Sequence, residues 1–162
     1  MPLNSPGTPA VLTAIQQKAQ VLQVGGSQFF ANGSAIIGKA KDIPGLVPLF
    51  EVSLADDMTQ RFSLPGGYTQ GGQIDDSQHY LCEITLDDTN SQIVESTTLP
   101  NIRDSFTAAF HTTVLLNLAG QVADSHFIGQ GKYGYTLRNG VWWRAYKQIL
   151  KVRYEYYVIP TA

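Results

Sequence analysis

The chain has 162 residues, of which 43% are hydrophobic and 15% charged, and a formal net charge of −2. That length suits one domain, residues 1–162, with a core that needs neither disulfide nor metal. The composition argues against intrinsic disorder, and a pI near 5.8 argues against a sequence-specific nucleic-acid partner.

Residues 1–8 read as a polar, Pro-containing leader, expected to be mobile. Thr8-Pro9 then has the cap-plus-proline pattern of a helix start. Val11, Leu12, Ile15, Ala19 and Leu22 recur at helical spacing, with Gln16, Gln17 and Gln20 largely on the other face. Gly25-Gly26 is expected to end this helix. Ser27–Ala31 and Ser34–Gly38 flank Asn32-Gly33 as a small hairpin. Pro48–Leu54 alternates like a half-buried strand, and a short strand is possible near Gln60–Leu64. Residues 65–74 hold Gly66, Gly67, Gly71 and Gly72 and read as a flexible surface loop.

His79–Leu86 alternates as a strand, with Tyr80, Cys82, Ile84 and Leu86 on one face. Pro100 opens the main helix, whose stripe is Ile102, Phe106, Ala109, Phe110, Thr113, Leu116 and Leu118. A strand from Val122 to Gln130 follows, continued or bulged through Gly131–Tyr135. Arg138-Asn139-Gly140 is the strongest hairpin signal. Trp142–Val158 then runs without Gly or Pro, which is long for one strand, so part of it projects beyond the core or a bend divides it. The predicted class is α+β: a mostly antiparallel sheet, two main helices packed on one face, and a long C-terminal β-hairpin.

The chemistry is sparse. A single cysteine, Cys82, makes no internal disulfide and reads as a core thiol in a chain suited to a reducing compartment. No basic-then-apolar leader is visible, and no apolar run approaches the roughly eighteen residues of a membrane helix, so no membrane partner is expected. His79, His111 and His126 lack metal-ligand spacing, so no metal is expected. Asp56-Asp57, Asp75-Asp76 and Asp87-Asp88 fall at predicted turns and read as solvated. The glycine pairs match no phosphate loop, and no cofactor is expected. Trp142 and Trp143 must point to opposite sheet faces. One is expected in the core and the other exposed or covered by a helix.

Two features point to assembly. Ser, Thr, Asn and Gln total 42 against 24 charged residues, where about 25% charge is ordinary. The charge is also split: residues 1–131 carry 5 basic and 12 acidic side chains, and residues 132–162 carry 6 and 1. Either these charges pair locally, or the C-terminal segment meets an acidic surface of this chain or of a neighbouring copy. A split of this kind favours a head-to-tail contact that closes into a ring. The interface residues expected are Trp143, Arg144, Lys147, Lys151 and Arg153, with the loop of Gly66, Gly67, Gly71 and Gly72 ordering on a partner.

One succession of segments carries a family resemblance: an N-terminal helix, Asp42-Ile43-Pro44-Gly45 before Leu49-Phe50-Glu51-Val52, the strand His79–Leu86, a helix ending near Leu118, Gly120–Ser125, a hairpin, and Lys151–Tyr156. Over residues 9–158 this order resembles the tail terminator proteins of tailed bacteriophages and related head-to-tail completion proteins. The resemblance implies a non-enzymatic virion protein of the tail or neck, assembled in the host cytoplasm. It implies a homo-oligomeric ring, a hexamer, that ends tail tube polymerisation and offers the surface for head docking. Its partners would be itself, the tail tube protein and a head-completion or connector protein. Another neck or tail tube component has the same texture. A different reading is a cone-shaped α+β ligand-binding or hydratase-like domain resembling nuclear transport factor 2. It would require two histidines to converge with Asp124 or Glu83 in a closed pocket.

Overall fold

A computed structural model of the chain describes residues 8–43, 45–63, 72–87, 94–111 and 124–158. Helix α1 spans Thr8–Gln20 and buries Val11, Ile15 and Ala19. The hairpin of β1 (Gln23–Val24) and β2 (Ser27–Gln28) follows. Strands β3 (Ala35–Ile37), β4 (Leu49–Ser63) and β5 (Gly72–Leu86) come next. A π-helical turn, Val94–Thr98, then leads into α2 (Leu99–Phe110), and β6 (Asp124–Arg138) and β7 (Val141–Val158) complete the order. Among the described residues the main sheet has five strands, in the order β3-β4-β5-β7-β6. Of these described strands, β3 alone runs parallel to its neighbour, β4.

The α+β architecture expected from the sequence is the one found, with corrections in detail. The tight turn after α1 lies at Gly25-Gly26, whose φ values of 63° and 84° suit a two-residue hairpin turn. The expected hairpin around Asn32-Gly33 is replaced by a turn, in which Ser34 N donates to Ala31 O, and by the parallel strand β3. Residues 72–74 belong to β5 rather than to a loop, because they pair with Tyr156–Val158 on one side and, from Gln73, with Phe62–Ser63 on the other. Asp75 and Asp76 are likewise strand residues. Asp56 and Asp57 lie in β4, in an irregularity of register between Leu54 and Met58. Residues 1–7, 64–71 and 112–123 lie outside the described residues, and with them most of the leader, Gly66, Gly67, Gly71 and the end of the predicted main helix.

One face of the sheet carries the core. Phe50 and Val52 of β4, Tyr80, Cys82, Ile84 and Leu86 of β5, Tyr146, Leu150 and Val152 of β7 and Phe127 of β6 meet both helices there. Pro100 occupies the first turn of α2, and Ile102, Phe106 and Phe110 are its buried stripe. Phe106 is the hub, with its ring 5.7 Å from Phe50, 5.5 Å from Phe110, 6.1 Å from Phe127 and 6.4 Å from Phe30. Burial pushes the Cys82 thiol up to about 12, as befits a packing residue. Gln16 and Gln20, placed opposite the apolar stripe by sequence, do not simply face solvent. Gln16 Nε2 donates to Ala35 O at 2.9 Å, and Gln20 Nε2 donates to Phe30 O at 3.0 Å and to Ala31 O at 2.8 Å. These neutral amides satisfy irregular backbone without the desolvation cost of a charge.

The opposite face is organised in cross-strand rows. Leu49, Thr85 and Ala145 form one row, buried but apart from the main core. The next row reads Glu51, Glu83, Lys147, Lys132 across β4, β5, β7 and β6. Both glutamates are buried, at 2% and 1% exposure. Sequence alternation placed Glu83 and Thr85 away from the core and gave no sign that this second face is covered too.

Candidate interaction surface

The β6–β7 hairpin is built by strand alternation around Asn139-Gly140, whose φ values of 51° and 76° fit the two-residue turn expected there. A bulge between Ile128 and Lys132 shifts the register of β6. Within it, Gly131 lies under the Tyr146 ring, and any Cβ at that position would overlap the phenol. The last residue of β5, Leu86, pairs with Arg144, so Val141–Trp143 and their partners Thr136–Arg138 extend beyond β5.

The overhanging tip is anchored to β4. Arg138 donates two hydrogen bonds to the Glu51 carboxylate, one of 3.0 Å from Nη1 to Oε2 and a second from Nη2 to Oε1. Ala40 N also donates to Glu51 Oε2, at 2.7 Å, and Asn139 Nδ2 donates to Lys41 O at 3.0 Å. Glu83 is paired with Lys39 through one oxygen. Its other oxygen has no hydrogen bond and lies 3.8 Å from Lys147 Nζ. Part of the sequence-level charge split is therefore met inside the fold, C-terminal cations against glutamates of the first 131 residues.

On the helix-side face the hairpin outruns the helices. Tyr133, Tyr135 and Leu137 of β6 and Trp142 of β7 share that face by register and are 46–63% exposed. Arg144 is buried among them. Its guanidinium lies 5.3 Å from the Tyr133 ring centroid and 5.0 Å from that of Tyr135, and Nη1 donates to Tyr133 Oη at 2.9 Å. Stacking of this kind holds the tyrosines rigid at little entropic cost. A cleft of about 510 Å³ continues the surface between Leu99, Pro100 and Arg103 of α2 and Tyr133 and Tyr146 of the hairpin. A second groove, of about 520 Å³, lies on the opposite face. Its lining includes Leu81, Ile128 and Ile149, with Lys132 and Lys147 beside them.

The residues expected at an interface are divided by this geometry. Trp143, Lys147, Lys151 and Arg153 lie on the second face, Lys147 exposed and the other three half-buried. Arg144 lies on the helix side and serves as a buried support. Gly72 opens β5 opposite Val158. Neither tryptophan is in the core: Trp142 is 63% exposed, because the described helices do not cover the overhang, and Trp143, on the opposite face, is half-buried. The exposed stripe of Tyr133, Tyr135, Leu137 and Trp142 was missed, although its signal is in the sequence. Reading alternation outward from Asn139-Gly140 places the four on one face.

Of the three histidines, His111 and His126 meet at the surface, and His79 lies apart from them. His79 is buried in β5 opposite Lys151, and Lys151 in turn lies opposite His126 of β6. His111 ends α2 and accepts a 2.8 Å hydrogen bond from Phe127 N through Nε2, with its ring 6.4 Å from His126. Partial desolvation at the end of α2, and then the neighbouring His126, lower the His111 pKa. Both His111 and His126 are exposed. Among the described residues no three His, Cys, Asp or Glu side chains are grouped to hold a metal ion, and no helix is long and apolar enough to cross a membrane. No protein-family model matches the chain, and no curated protein matches it in sequence.

Proposed function

We propose that this protein is a structural subunit that assembles with copies of itself, and that it serves as the tail terminator of a tailed bacteriophage. In this reading it forms a ring, a hexamer, on the end of the tail tube, stops tube growth, and presents a surface to a head-completion or connector protein. The observation that carries the assembly part is the overhanging hairpin. Four large aromatic or aliphatic side chains stand exposed on one face, around a buried arginine that stiffens them. Exposed clusters of this composition are characteristic of protein–protein contacts. The phage assignment rests on the order of segments along the chain.

Native mass spectrometry of the purified protein, alone and with tail tubes, tests the reading. A ring of defined stoichiometry is expected, and Trp142→Ala should weaken it while changing fold stability by no more than about 0.5 kcal/mol. Monomer under both conditions would reject assembly. Imaging virions that lack the protein separates the roles. A terminator leaves overlong headless tails, whereas a head-completion protein leaves tails of normal length and leaking heads.

A further inference from the structure

The edges of the main sheet are not all alike. On β3, Ala35 faces away from β4, and α1 takes up its backbone: Ala35 N donates to Gln20 Oε1 at 3.3 Å and Ala35 O accepts from Gln16 Nε2 at 2.9 Å. On β6, Phe127 N donates to His111 Nε2. Beyond the bulge the same strand changes character. The two-residue turn at Asn139-Gly140 makes Arg138 and Val141 a hydrogen-bonded pair. Bonded and non-bonded pairs alternate along an antiparallel ladder, so Thr136 and Gly134 also bond to β7, while the N–H and C=O of Leu137 and Tyr135 point away from it. Among the described residues no group bonds to those four. The side chains of Tyr135 and Leu137, each 54% exposed, stand on the helix-side face beside this edge.

We infer that residues 132–138 of β6 take an extended segment of a partner protein as an added strand, one with apolar side chains at alternate positions and a carboxylate beside Lys132. The inference builds on the reading of the hairpin as an interaction surface and specifies the kind of partner. A row of outward donors and acceptors is matched by another extended backbone. The stretch of seven residues is long enough, since strands commonly run to about five or six. Every second side chain of the guest then lies beside Tyr133, Tyr135 and Leu137, where apolar neighbours are favoured. The intervening ones share the second face with Lys132, which is exposed, lies across from Lys147 and meets no carboxylate among the described residues. A second copy of β6 fits less well. Antiparallel pairing over the whole stretch sets Lys132 of each copy against Arg138 of the other, cation against cation, and a bulge beside an edge lysine is a common guard against such self-pairing.

The probe is a capped heptapeptide that alternates valine and threonine, with glutamate at each end. Its binding to the wild-type chain is followed by fluorescence anisotropy, and amide hydrogen exchange reports on the edge. Exchange at Tyr135 and Leu137 should slow when the peptide binds. Two N-methylated versions, one blocked at the valines and the other at the threonines, should behave differently. Only one alternate set of peptide N–H groups faces β6, so one version should lose binding and the other retain it. Tyr135→Pro removes an outward donor and leaves the ladder to β7 intact, as proline on an edge strand allows. It should bind about tenfold more weakly than Tyr135→Ala, or worse. No binding of the unmodified peptide, or equal binding of the two methylated versions, would overturn the inference. So would protection of Tyr135 and Leu137 that grows as the chain alone is concentrated, since a second copy would then hold the edge. If Tyr135→Pro fails to fold, the two methylated peptides on the wild-type chain decide. Ring formation is scored separately by mass spectrometry: a ring that binds no peptide overturns this inference alone, and a monomer that binds it rejects self-assembly alone.

Discussion

The two faces of the sheet are cohesive for different reasons. On the helix side, rings of Phe30, Phe50, Phe106, Phe110 and Phe127 interlock, and stability comes from apolar area and close packing. On the other side two carboxylates lie directly opposite each other, Glu51 against Glu83, at a position where like charges repel. They are tolerable because Arg138 and Lys39 each neutralise one of them, with Lys147 near the second. Such an arrangement adds little net stability, but it is directional. It fixes where the tip of the β6–β7 hairpin lies, a task that non-directional apolar contact performs poorly. The contrast teaches that the face which looks like ordinary core holds the fold together, while the charged face orients the surface proposed for assembly.

This contrast can be broken at several points. The largest effect is expected at the hub of the helix side. Phe106→Ala should cost about 4 kcal/mol in urea unfolding, because four neighbouring rings cannot all collapse into the space left. A loss under about 1 kcal/mol would show that the ring cluster is not the cohesive element. Next, Arg138→Ala should cost about 3 kcal/mol by stranding the Glu51 carboxylate in a buried position. The double change Glu51→Leu with Arg138→Leu should recover most of that stability, yet release the tip. Limited proteolysis near Asn139 should then quicken although the melting temperature is nearly restored. If it does not, the ion pair has no orienting role.

The smallest effect concerns His111. Its neutral Nε2 accepts from Phe127 N, so the folded chain binds its proton less readily than the unfolded chain does. The stability it contributes is present above the ordinary imidazole range near about 6.5 and is lost as pH falls through the lower folded value. Thermal melts from about pH 7.5 to about pH 5 should show a steeper loss for wild type than for His111→Gln, whose amide oxygen accepts without titrating. Parallel curves would remove His111 from the account.

Much of the first face was legible in the sequence. Ile102, Phe106 and Phe110 at helical spacing, and Tyr80, Cys82, Ile84 and Leu86 at period two, mark buried stripes because one-sided burial imposes those periods. Asn139-Gly140 marked its turn because few other residue pairs accept two positive φ values. The second face and the interaction surface were not legible. Alternation says that Glu83 is opposite Cys82. It does not say that Lys39 and Ala40 lie against that side and meet the buried carboxylates. The position of Trp142 in the strand told which side it takes, but not that the helices stop short of it. The low charge and its split along the chain were determined by the sequence alone. That the split becomes a row of Glu51, Glu83, Lys147 and Lys132 was decided by the order β4-β5-β7-β6. Strand order is a long-range choice, settled by which edges pair once both faces find cover, and local periodicity carries no record of it.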